Sequence, residues 1–406
     1  MPGALDDITV LEVANWVAAP SCGALMADLG ANVIKVEPRE GDGMRGKLRQ
    51  PAVPAGSPTT DIPFQLDNRG KRSVAVDLSD ERGRDLVVAL TKKADVLITN
   101  LLPARLARYG LAPDQLRAAH PALVYALVTG YGSRGPDADR IAFDLTAFFG
   151  RGAIMSLVGE PGEPPVAFRP GQGDHPTGLA LLAAVLAALR VRDRTGEGQL
   201  VETALLRTAA WTIGCDVSAA LVDGKQPTKR GRMQSISPLN TRYRCADGVW
   251  LALSARDQAQ WPGFCAAIGR PDLTDDPRFD TPVNRFRNAE SIIGIIDGVF
   301  GEHPYAHWVS RLDQSGVVWA KVAELPDLVA DPQARAMGMF AEIDHPAIGR
   351  FETLAAPFSM SSSEVSVRGP APEIGQHTAE VLTELGVDAA TVAALSEAGV
   401  VGPAST

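Results

Sequence analysis

The sequence has few of the residues that build disulfide, metal and nucleic-acid sites. Its 4 cysteines are scattered, at Cys22, Cys215, Cys245 and Cys265. That spacing suits free thiols in a reducing compartment better than a metal site. Of the 6 histidines only His303 and His307 are close, and Pro304 between them weakens a helical ligand pair, so no metal site is predicted. The net charge of −9 argues against nucleic-acid or membrane-surface binding, which needs a basic face.

Long apolar runs and aromatic side chains are also scarce. The longest apolar run, residues 178–189, is too short to span a bilayer, and the N-terminus lacks the regions of a signal peptide. We therefore expect a cytoplasmic protein. Aromatic residues make up 6% of the chain and alanine is abundant, which predicts a core of small aliphatic side chains. The hydrophobic content of 45% is that of a globular protein.

Short β-branched runs alternate with helical segments through the first half of the chain. The predicted strands cover residues 8–14, 32–37, 73–78, 95–100 and 123–129. Helices are expected between them, and two more at 178–192 and about 201–222. This alternation predicts an α/β domain with a doubly wound, mostly parallel, Rossmann-like sheet.

The composition changes after Gly224. Residues 225–237 are polar and basic, as in a linker, and Asp247-Gly248 between two strand-like pieces predicts a hairpin. We expect three parts along the chain. These are the N-terminal part of a large domain over residues 1–224, a linker with a smaller α+β domain over 225–330, and a C-terminal segment, 331–406, that returns to the large domain.

One carboxylate stands out by its position. Asp174 lies in the segment GQGDHPTG at 171–178, directly before a helix that the sequence predicts to be buried. At a helix N-terminus, unpaired N–H groups and the helix dipole favour the ionised form. An ionised carboxylate there can act as a nucleophile or a proton acceptor. The alternative is a helix cap, for which aspartate is a preferred residue.

Two other patterns point to ligands with less force. The segment GYGSRG at 130–135 matches a dinucleotide fingerprint, but a loop follows it where the fingerprint needs a helix, so NAD or FAD binding is not predicted. Basic residues cluster in the first third, several of them in loops after strands, where α/β folds bind ligands. These residues are Arg39, Arg45, Arg69, Lys71, Arg72, Arg105 and Arg108. They form either a phosphate site or a solvated charged face.

An ordered series of motifs resembles the family III CoA-transferases. The motifs are LEV at 11–13, AAP at 18–20, ADLGANVIKVE at 27–37, NRGKRS at 68–73, DVLITN at 95–100, RTGEGQ at 194–199, DPQ at 331–333 and GQHT at 375–378. The resemblance runs from about residue 6 to 387. It implies an interlocked homodimer whose large domain binds coenzyme A and acyl-CoA as substrates. It implies no permanently bound cofactor. The net charge and the short apolar run predict no nucleic-acid and no membrane partner.

The resemblance also implies roles for single residues. Asp174 falls on the position of an aspartate that attacks the thioester, so the expected reaction moves CoA from an acyl-CoA to a carboxylic acid through an aspartyl mixed anhydride. Backbone N–H groups around Gly171 and Gly173 could stabilise the anionic intermediates. The family's CoA contacts carry over to Asn100 and Arg108, and to the loops that hold Arg39, Lys71, Arg72 and Tyr131.

Some departures from the family narrow the activity. Val17 replaces a glutamine of the formyl-CoA transferase branch, and residues 231–235 lack its tetraglycine lid, which disfavours oxalate or formate. The racemase branch carries Gly-His-Asp where this chain has Ala-Phe-Asp at 142–144, and Phe143 cannot move a proton. An isomerase on the same scaffold and a non-catalytic acyl-CoA binder remain alternatives. His175 either orients the catalytic carboxylate, contacts the acyl group or is structural.

Overall fold

The computed structural model describes residues 2–46, 62–255 and 258–403. The chain forms two compact units. The first contains residues 1–156, 167–222 and 333–406, and the second contains residues 157–166 and 223–332.

One short segment lies elsewhere than the sequence suggested. Residues 157–166, which we expected in the large domain, belong to the second unit. The reason is local pairing, because the Glu160 carboxylate accepts hydrogen bonds from the Arg232 backbone N–H at 3.0 Å and from the Arg242 guanidinium at 3.0 Å.

The first unit is built on a six-stranded sheet in the order β3-β2-β1-β4-β5-β6. Every neighbouring pair is parallel. The strands are β1 (Thr9–Val13), β2 (Asn32–Glu37), β3 (Arg72–Ala75), β4 (Val96–Thr99), β5 (Val124–Thr129) and β6 (Leu200–Ala204). This strand order is that of a dinucleotide-binding Rossmann sheet, so the predicted α/β class and parallel sheet are confirmed.

Helices connect these strands and cover the sheet. They are α1 (Ala18–Asp28), α2 (Ile62–Asn68), α3 (Glu81–Thr91), α4 (Pro103–Arg108), α5 (Pro113–Ala119), a π-helix (Leu145–Arg151), α6 (Ile154–Leu157), α7 (Asp174–Thr195), α8 (Leu205–Thr212) and α9 (Gly214–Asp223). Two apolar cores lie on the two faces of the sheet and consist mainly of alanine, valine, leucine and isoleucine. Helix α1 is buried along its whole length and packs against α7.

Glycine makes the close approach of these two helices possible. A Cβ on Gly178 of α7 would lie 2.1 Å from the Ser21 hydroxyl oxygen of α1. No side chain larger than hydrogen fits there without separating the helices.

The predicted helix over 201–222 is wrong. Its first residues form β6, which pairs in parallel with β5, and the rest form α8 and α9 with an angle of 85° between them. The β-branched Val201 and Thr203 suit a strand, and the neighbouring β5 offers it backbone partners. None of the residues of α9 is buried.

Helix α7 is longer and more exposed than predicted. It begins at Asp174 and has 22 residues, of which Leu181 and Val185 are fully buried while Leu186 and Val191 are exposed. Within the part of the chain that the structure describes, α7 and the bent pair α8–α9 are long and apolar enough to cross a membrane by length and composition alone. The buried side of α7 packs against α1 and β6, which is the position of a core helix.

The second unit has its own sheet and core. Its antiparallel strands are ordered β7-β8-β9. Its elements are a 3-10 turn (Arg232–Gln234), β7 (Arg242–Arg244), β8 (Trp250–Ser254), α10 (Gln260–Ala267), a second 3-10 turn (Pro271–Leu273), α11 (Pro282–Arg287), α12 (Ala289–Phe300), α13 (Tyr305–Asp313), β9 (Val318–Lys321) and α14 (Leu325–Ala330). The predicted hairpin is β7–β8, with its turn at Gly248. Large aromatic residues, among them Trp261 and Trp308, fill this core.

The last part of the chain completes the first unit. It contains α15 (Pro332–Ala336), β10 (Phe340–His345), β11 (Gly349–Leu354), α16 (Thr378–Glu384) and α17 (Ala389–Glu397). Strands β10 and β11 pair as an antiparallel hairpin. Val381 and Val401 join the core on one face of the large sheet, and Val401 forms a β-bridge with Val76 beyond β3.

Candidate active site

A cavity of about 530 Å³ lies at the carboxyl ends of β1, β4 and β5 in the first unit. Parallel α/β sheets bind ligands at this edge. The cavity is lined by residues 15–18 after β1, Met44, residues 100–102 and Arg105 after β4, residues 128–130 at the end of β5, residues 140–145, Pro170, Gly171, Asp174 and Leu205.

Asp174 lines this cavity as the first residue of α7. Gly173 occupies the cap position and no side chain caps the helix, so the interpretation of Asp174 as a helix cap is wrong. Burial, together with the charge of Asp144, raises the pKa of Asp174 from 3.8 to about 7, against the opposing effect of His175. The sequence predicted the opposite direction, since a helix N-terminus favours the ionised form. In the structure the helix N-terminus does not compensate for the hydration that Asp174 loses on burial, so its pKa is raised. A carboxylate of this pKa is a stronger base than an ordinary aspartate.

Asp144 organises the loop before Asp174. Its Oδ2 accepts hydrogen bonds from the backbone N–H groups of Gly171 at 2.8 Å and Gly173 at 3.4 Å. These were the groups expected to stabilise an oxyanion, and in the structure they serve Asp144 instead. Gly171 has φ of +89°, a conformation that side chains disfavour, so glycine is required in this turn.

His175 pairs with a carboxylate other than its neighbour in sequence. Its Nε2 lies 3.0 Å from Oδ1 of the buried Asp67 at the end of α2. Burial alone would lower the pKa of His175, but the hydrogen bond to Asp67 and the charges of Asp67 and Asp174 outweigh it, and the pKa is raised. The contact between His175 and Asp67 therefore links α7 to α2.

Asn100 fixes the loop between β1 and α1. Its Nδ2 donates to the Asn15 carbonyl oxygen at 2.6 Å, and its Oδ1 accepts from the Asn15 N–H at 3.1 Å. Trp16 follows with φ of +72°, which is strained for a residue with a side chain. The Oδ1 of Asp42 accepts the Trp16 N–H at 3.0 Å and holds this conformation.

A second cavity of about 380 Å³ lies at the carboxyl ends of β1, β2 and β3. Arg39 and Tyr109 line it, and Arg105 lines both cavities. Arg39 also donates from Nε to the Gly402 carbonyl oxygen at 3.0 Å. The two cavities share Asn15, Leu101 and Arg105 and are therefore adjacent.

The structure separates the six residues predicted to contact CoA. Asn100 lines the first cavity and Arg39 lines the second. Arg108 is exposed, with its guanidinium 5.8 Å from the centre of the Tyr109 ring, and Tyr131 packs beneath Arg151; neither lines a cavity described above.

Lys71 and Arg72 face acidic partners within the fold. The buried Lys71 ammonium donates to Glu12 Oε2 at 2.7 Å and to the Asn68 side-chain oxygen at 3.0 Å. Arg72 pairs with Glu380 at 2.8 Å and Glu384 at 2.7 Å on α16. The structure therefore does not bring these two cations to either cavity.

Sequence reasoning missed the importance of Arg105 and Asp144 for this site. Arg105 appeared only as one of many basic residues, although its place after β4 was a usable signal. The sequence drew attention to Asp144 only as the residue that follows Phe143 in the segment compared with the racemase motif. No local pattern shows that it reaches Gly171, 27 residues later. In the described residues, no group of three or more His, Cys, Asp or Glu side chains could hold a metal ion.

Comparisons with known proteins agree on one family. Residues 5–378 match the family model for CoA-transferase family III. The chain is 33% identical to (R)-2-hydroxy-4-methylpentanoate CoA-transferase of Clostridioides difficile, over 95% of this chain and 96% of that one. It is 31% identical to succinate–glutarate CoA-transferase of Agrobacterium fabrum, over 94% and 95%. The crystal structure of a CAIB/BAIF family protein from Brucella suis superposes with a TM-score of 0.84 at 31% identity, over 95% and 100%.

Proposed function

Because this chain belongs to CoA-transferase family III, we propose that it transfers CoA from an acyl-CoA to a carboxylic acid with Asp174 as the nucleophile. The observation that carries the mechanism is a half-buried carboxylate with a pKa of about 7 on the wall of the cavity that the sheet edge forms. An ionised Asp174 retains the basicity that attack on a carbonyl carbon needs. CoA and acyl-CoA are substrates in this proposal, and no resident cofactor takes part.

The proposed reaction needs only the Asp174 carboxylate and the thiol group of CoA in addition to the acyl group and the acceptor acid. An Asp174 oxygen attacks the thioester carbonyl carbon and the C–S bond breaks. This step releases the CoA thiolate and forms a mixed anhydride between Asp174 and the acyl group. The thiolate then attacks the Asp174 carbonyl carbon and releases the first acid, which leaves an aspartyl-CoA thioester. The acceptor carboxylate attacks this thioester and forms a second anhydride. The thiolate finally attacks the acceptor's acyl carbon, which yields the new acyl-CoA and restores Asp174.

We further propose that CoA extends from the Asp174 cavity into the second cavity. Arg105 lines both and Arg39 lines the second, so their guanidinium groups suit the CoA phosphates. Asn100 shapes the passage between them through its pair with Asn15. Arg108 and Tyr131 would act from outside the described lining. Lys71 and Arg72 are left out of this placement, because acidic side chains already neutralise them.

Arg105→Ala is expected to weaken CoA binding by about 5- to 150-fold, because a charge-assisted hydrogen bond worth roughly 1–3 kcal/mol is lost. Arg108→Ala should cost less, because Arg108 lies outside the lining of both cavities, although both arginines are exposed. Isothermal titration with free CoA measures both. Arg207→Ala is the matched control, since Arg207 is 66% exposed and lines neither cavity. An unchanged dissociation constant for Arg105→Ala would remove Arg105 from the site.

We also propose a homodimer that covers the exposed apolar face of α7, α8 and α9. Trp211 is 86% exposed, Leu221 83% and Val222 89%, and Leu186 and Val191 on α7 are exposed by 37% and 42%. A second copy of the chain would bury these side chains, and the family resemblance implies an interlocked arrangement. Sedimentation velocity should show a dimer that persists on dilution. A folded monomer at low concentration would contradict this proposal.

The same family membership and the free thiols support a cytoplasmic location. Cys22, Cys245 and Cys265 are buried and reduced, which suits a reducing compartment. Cell fractionation tests this location.

A further inference from the structure

Exposed apolar side chains gather around the Asp174 cavity. Four large ones line it: Trp16 is 37% exposed, Leu145 47%, Phe143 50% and Ile141 73%. Val17 and Met44 add buried apolar surface in the same cavity. Contiguous apolar surface that remains exposed at a cavity is typical of a site for an apolar ligand group.

Two of these side chains form a fixed wall. The rings of Trp16 and Phe143 meet edge to face, with their centroids 5.3 Å apart. The strained backbone of Trp16 is held by Asp42, and a Cβ on Gly43 would lie 2.9 Å from the indole, so the ring packs directly on the Gly43 backbone. Backbone strain persists where the surroundings enforce it, and this occurs often at ligand sites.

The charges around the cavity disfavour a second carboxylate on the acyl chain. Asp174 already lies near Asp144 and Asp67, whose negative charges oppose its own ionisation. Among the described residues that line the cavity, the cations are Arg105 and Arg140. Arg105 also lines the second cavity, where we place CoA phosphates.

The other cation is not positioned for such a carboxylate either. The Arg140 side chain is 62% exposed, and its guanidinium lies 3.6 Å from the Asp137 carboxylate. The described part of the site therefore offers a dicarboxylic acyl group no buried cation of its own.

We infer that this cavity selects apolar monocarboxylic acyl groups with branched or aromatic chains, and that Trp16 and Phe143 form the wall that selects them. The inference rests on the proposed transfer through Asp174. Because one carboxylate serves both half-reactions, the acyl group of the donor and the acceptor acid occupy the same cavity in turn. Both substrates therefore belong to the same chemical class.

The test compares acyl groups of similar length that differ in terminal charge. 4-Methylpentanoyl-CoA and glutaryl-CoA serve as donors, with 4-methylpentanoate and glutarate as acceptors. The wild-type protein should prefer the apolar partner by at least about 100-fold in kcat/KM in each half-reaction, because a second carboxylate would lose its hydration without gaining a cation. Equal rates, or a preference for glutaryl-CoA, would overturn the selection.

Variants of the wall connect the preference to named residues. Phe143→Ala and Trp16→Gly should each lower kcat/KM for 4-methylpentanoyl-CoA by about 10-fold or more, with a smaller effect on acetyl-CoA. Glycine is chosen at Trp16 because it suits the positive φ. Phe143→Lys should raise the rate with glutaryl-CoA. Leu354→Ala, an exposed leucine on β11 outside the cavity, is the control and should change neither rate.

Trapping the intermediate separates this inference from the proposed function. Hydroxylamine should label Asp174 with 4-methylpentanoyl-CoA and far less with glutaryl-CoA. Equal labelling with both donors would leave the transfer mechanism intact and overturn the selection. If neither donor leads to a labelled Asp174, both the mechanism and the inference are wrong.

Discussion

Asp174→Asn is expected to lower CoA transfer by several orders of magnitude, because the neutral amide cannot attack a thioester and the covalent route is lost. The side chain keeps its shape, and no hydrogen bond from the helix N-terminus depends on it, since Asp174 is not the cap of α7. Steady-state transfer between an acyl-CoA and an acid measures the loss. Asp193→Asn, an exposed aspartate on the same helix, is the control and should keep full activity.

Chemical trapping identifies the carboxylate that reacts. Incubation of the wild-type protein with acyl-CoA and hydroxylamine should convert Asp174 to its hydroxamate and add a fixed mass to the peptide that carries it. The Asp174→Asn variant should give no adduct. An adduct on another carboxylate, or near-normal transfer by the variant, would show that Asp174 is not the nucleophile.

The raised pKa of Asp174 connects activity to pH and stability. Transfer by the wild-type protein should rise as the pH passes about 7, where the carboxylate ionises. A folded-state pKa of about 7 against 3.8 corresponds to roughly 4 kcal/mol of stability, which is fully present below pH 3.8 and is lost progressively as the pH rises from there to about 7. Asp174→Asn avoids this cost, so urea unfolding should show a variant more stable than wild type at pH 8. The gain should shrink at pH 5.

Glu12→Gln is expected to destabilise the first unit by about 3–5 kcal/mol, because it leaves the buried Lys71 ammonium without its carboxylate partner. It also removes one of the two carboxylates that pair with Lys35, which keeps Asp42 at 2.8 Å. The Glu12 oxygens lie 3.0 Å from the Lys35 Nζ and 2.7 Å from the Lys71 Nζ, and all three side chains are fully buried. Burial lowers the pKa of Lys71, although Glu12 opposes this, so removal of Glu12 favours the neutral amine. Urea denaturation at neutral pH measures the difference in the free energy of unfolding.

An exposed pair supplies the comparison for Glu12. Glu342 lies 3.3 Å from Arg350, and both side chains are more than 60% exposed. Glu342→Gln should cost less than about 1 kcal/mol, because water already solvates both charges. If Glu12→Gln costs no more than this control, the buried cluster does not stabilise the fold in the way described.

The sheet was predictable because buried parallel strands are nearly continuous apolar runs. Strand β2 matches its predicted bounds, residues 32–37, and β5 differs by one residue. Strand β6 failed because LVETALLRTAA reads equally well as a helix, and only pairing with β5 makes its first residues a strand. The turn chemistry around Gly248 was sufficient for the hairpin, since Asp-Gly favours such a turn.

The position of Asp174 was predictable, but its electrostatics were not. Its segment is visible in the sequence, whereas the pKa depends on burial and on Asp144, which is 30 residues earlier. Lys71 failed as a ligand contact for a similar reason. Its partner Glu12 lies 59 residues away in sequence, so the basic motif around Lys71 does not show that Lys71 forms a buried ion pair.

The late return of the chain to the first unit sets an order for folding during synthesis. Val381, Leu382, Val400 and Val401 cover the same face of the sheet as Val76, and they leave the ribosome after all residues of the second unit. The second unit can thus close its core while one apolar face of the six-stranded sheet is still only partly covered. Nascent chains that stall after the sheet is made but before Val381 should therefore depend on chaperones more than finished ones do.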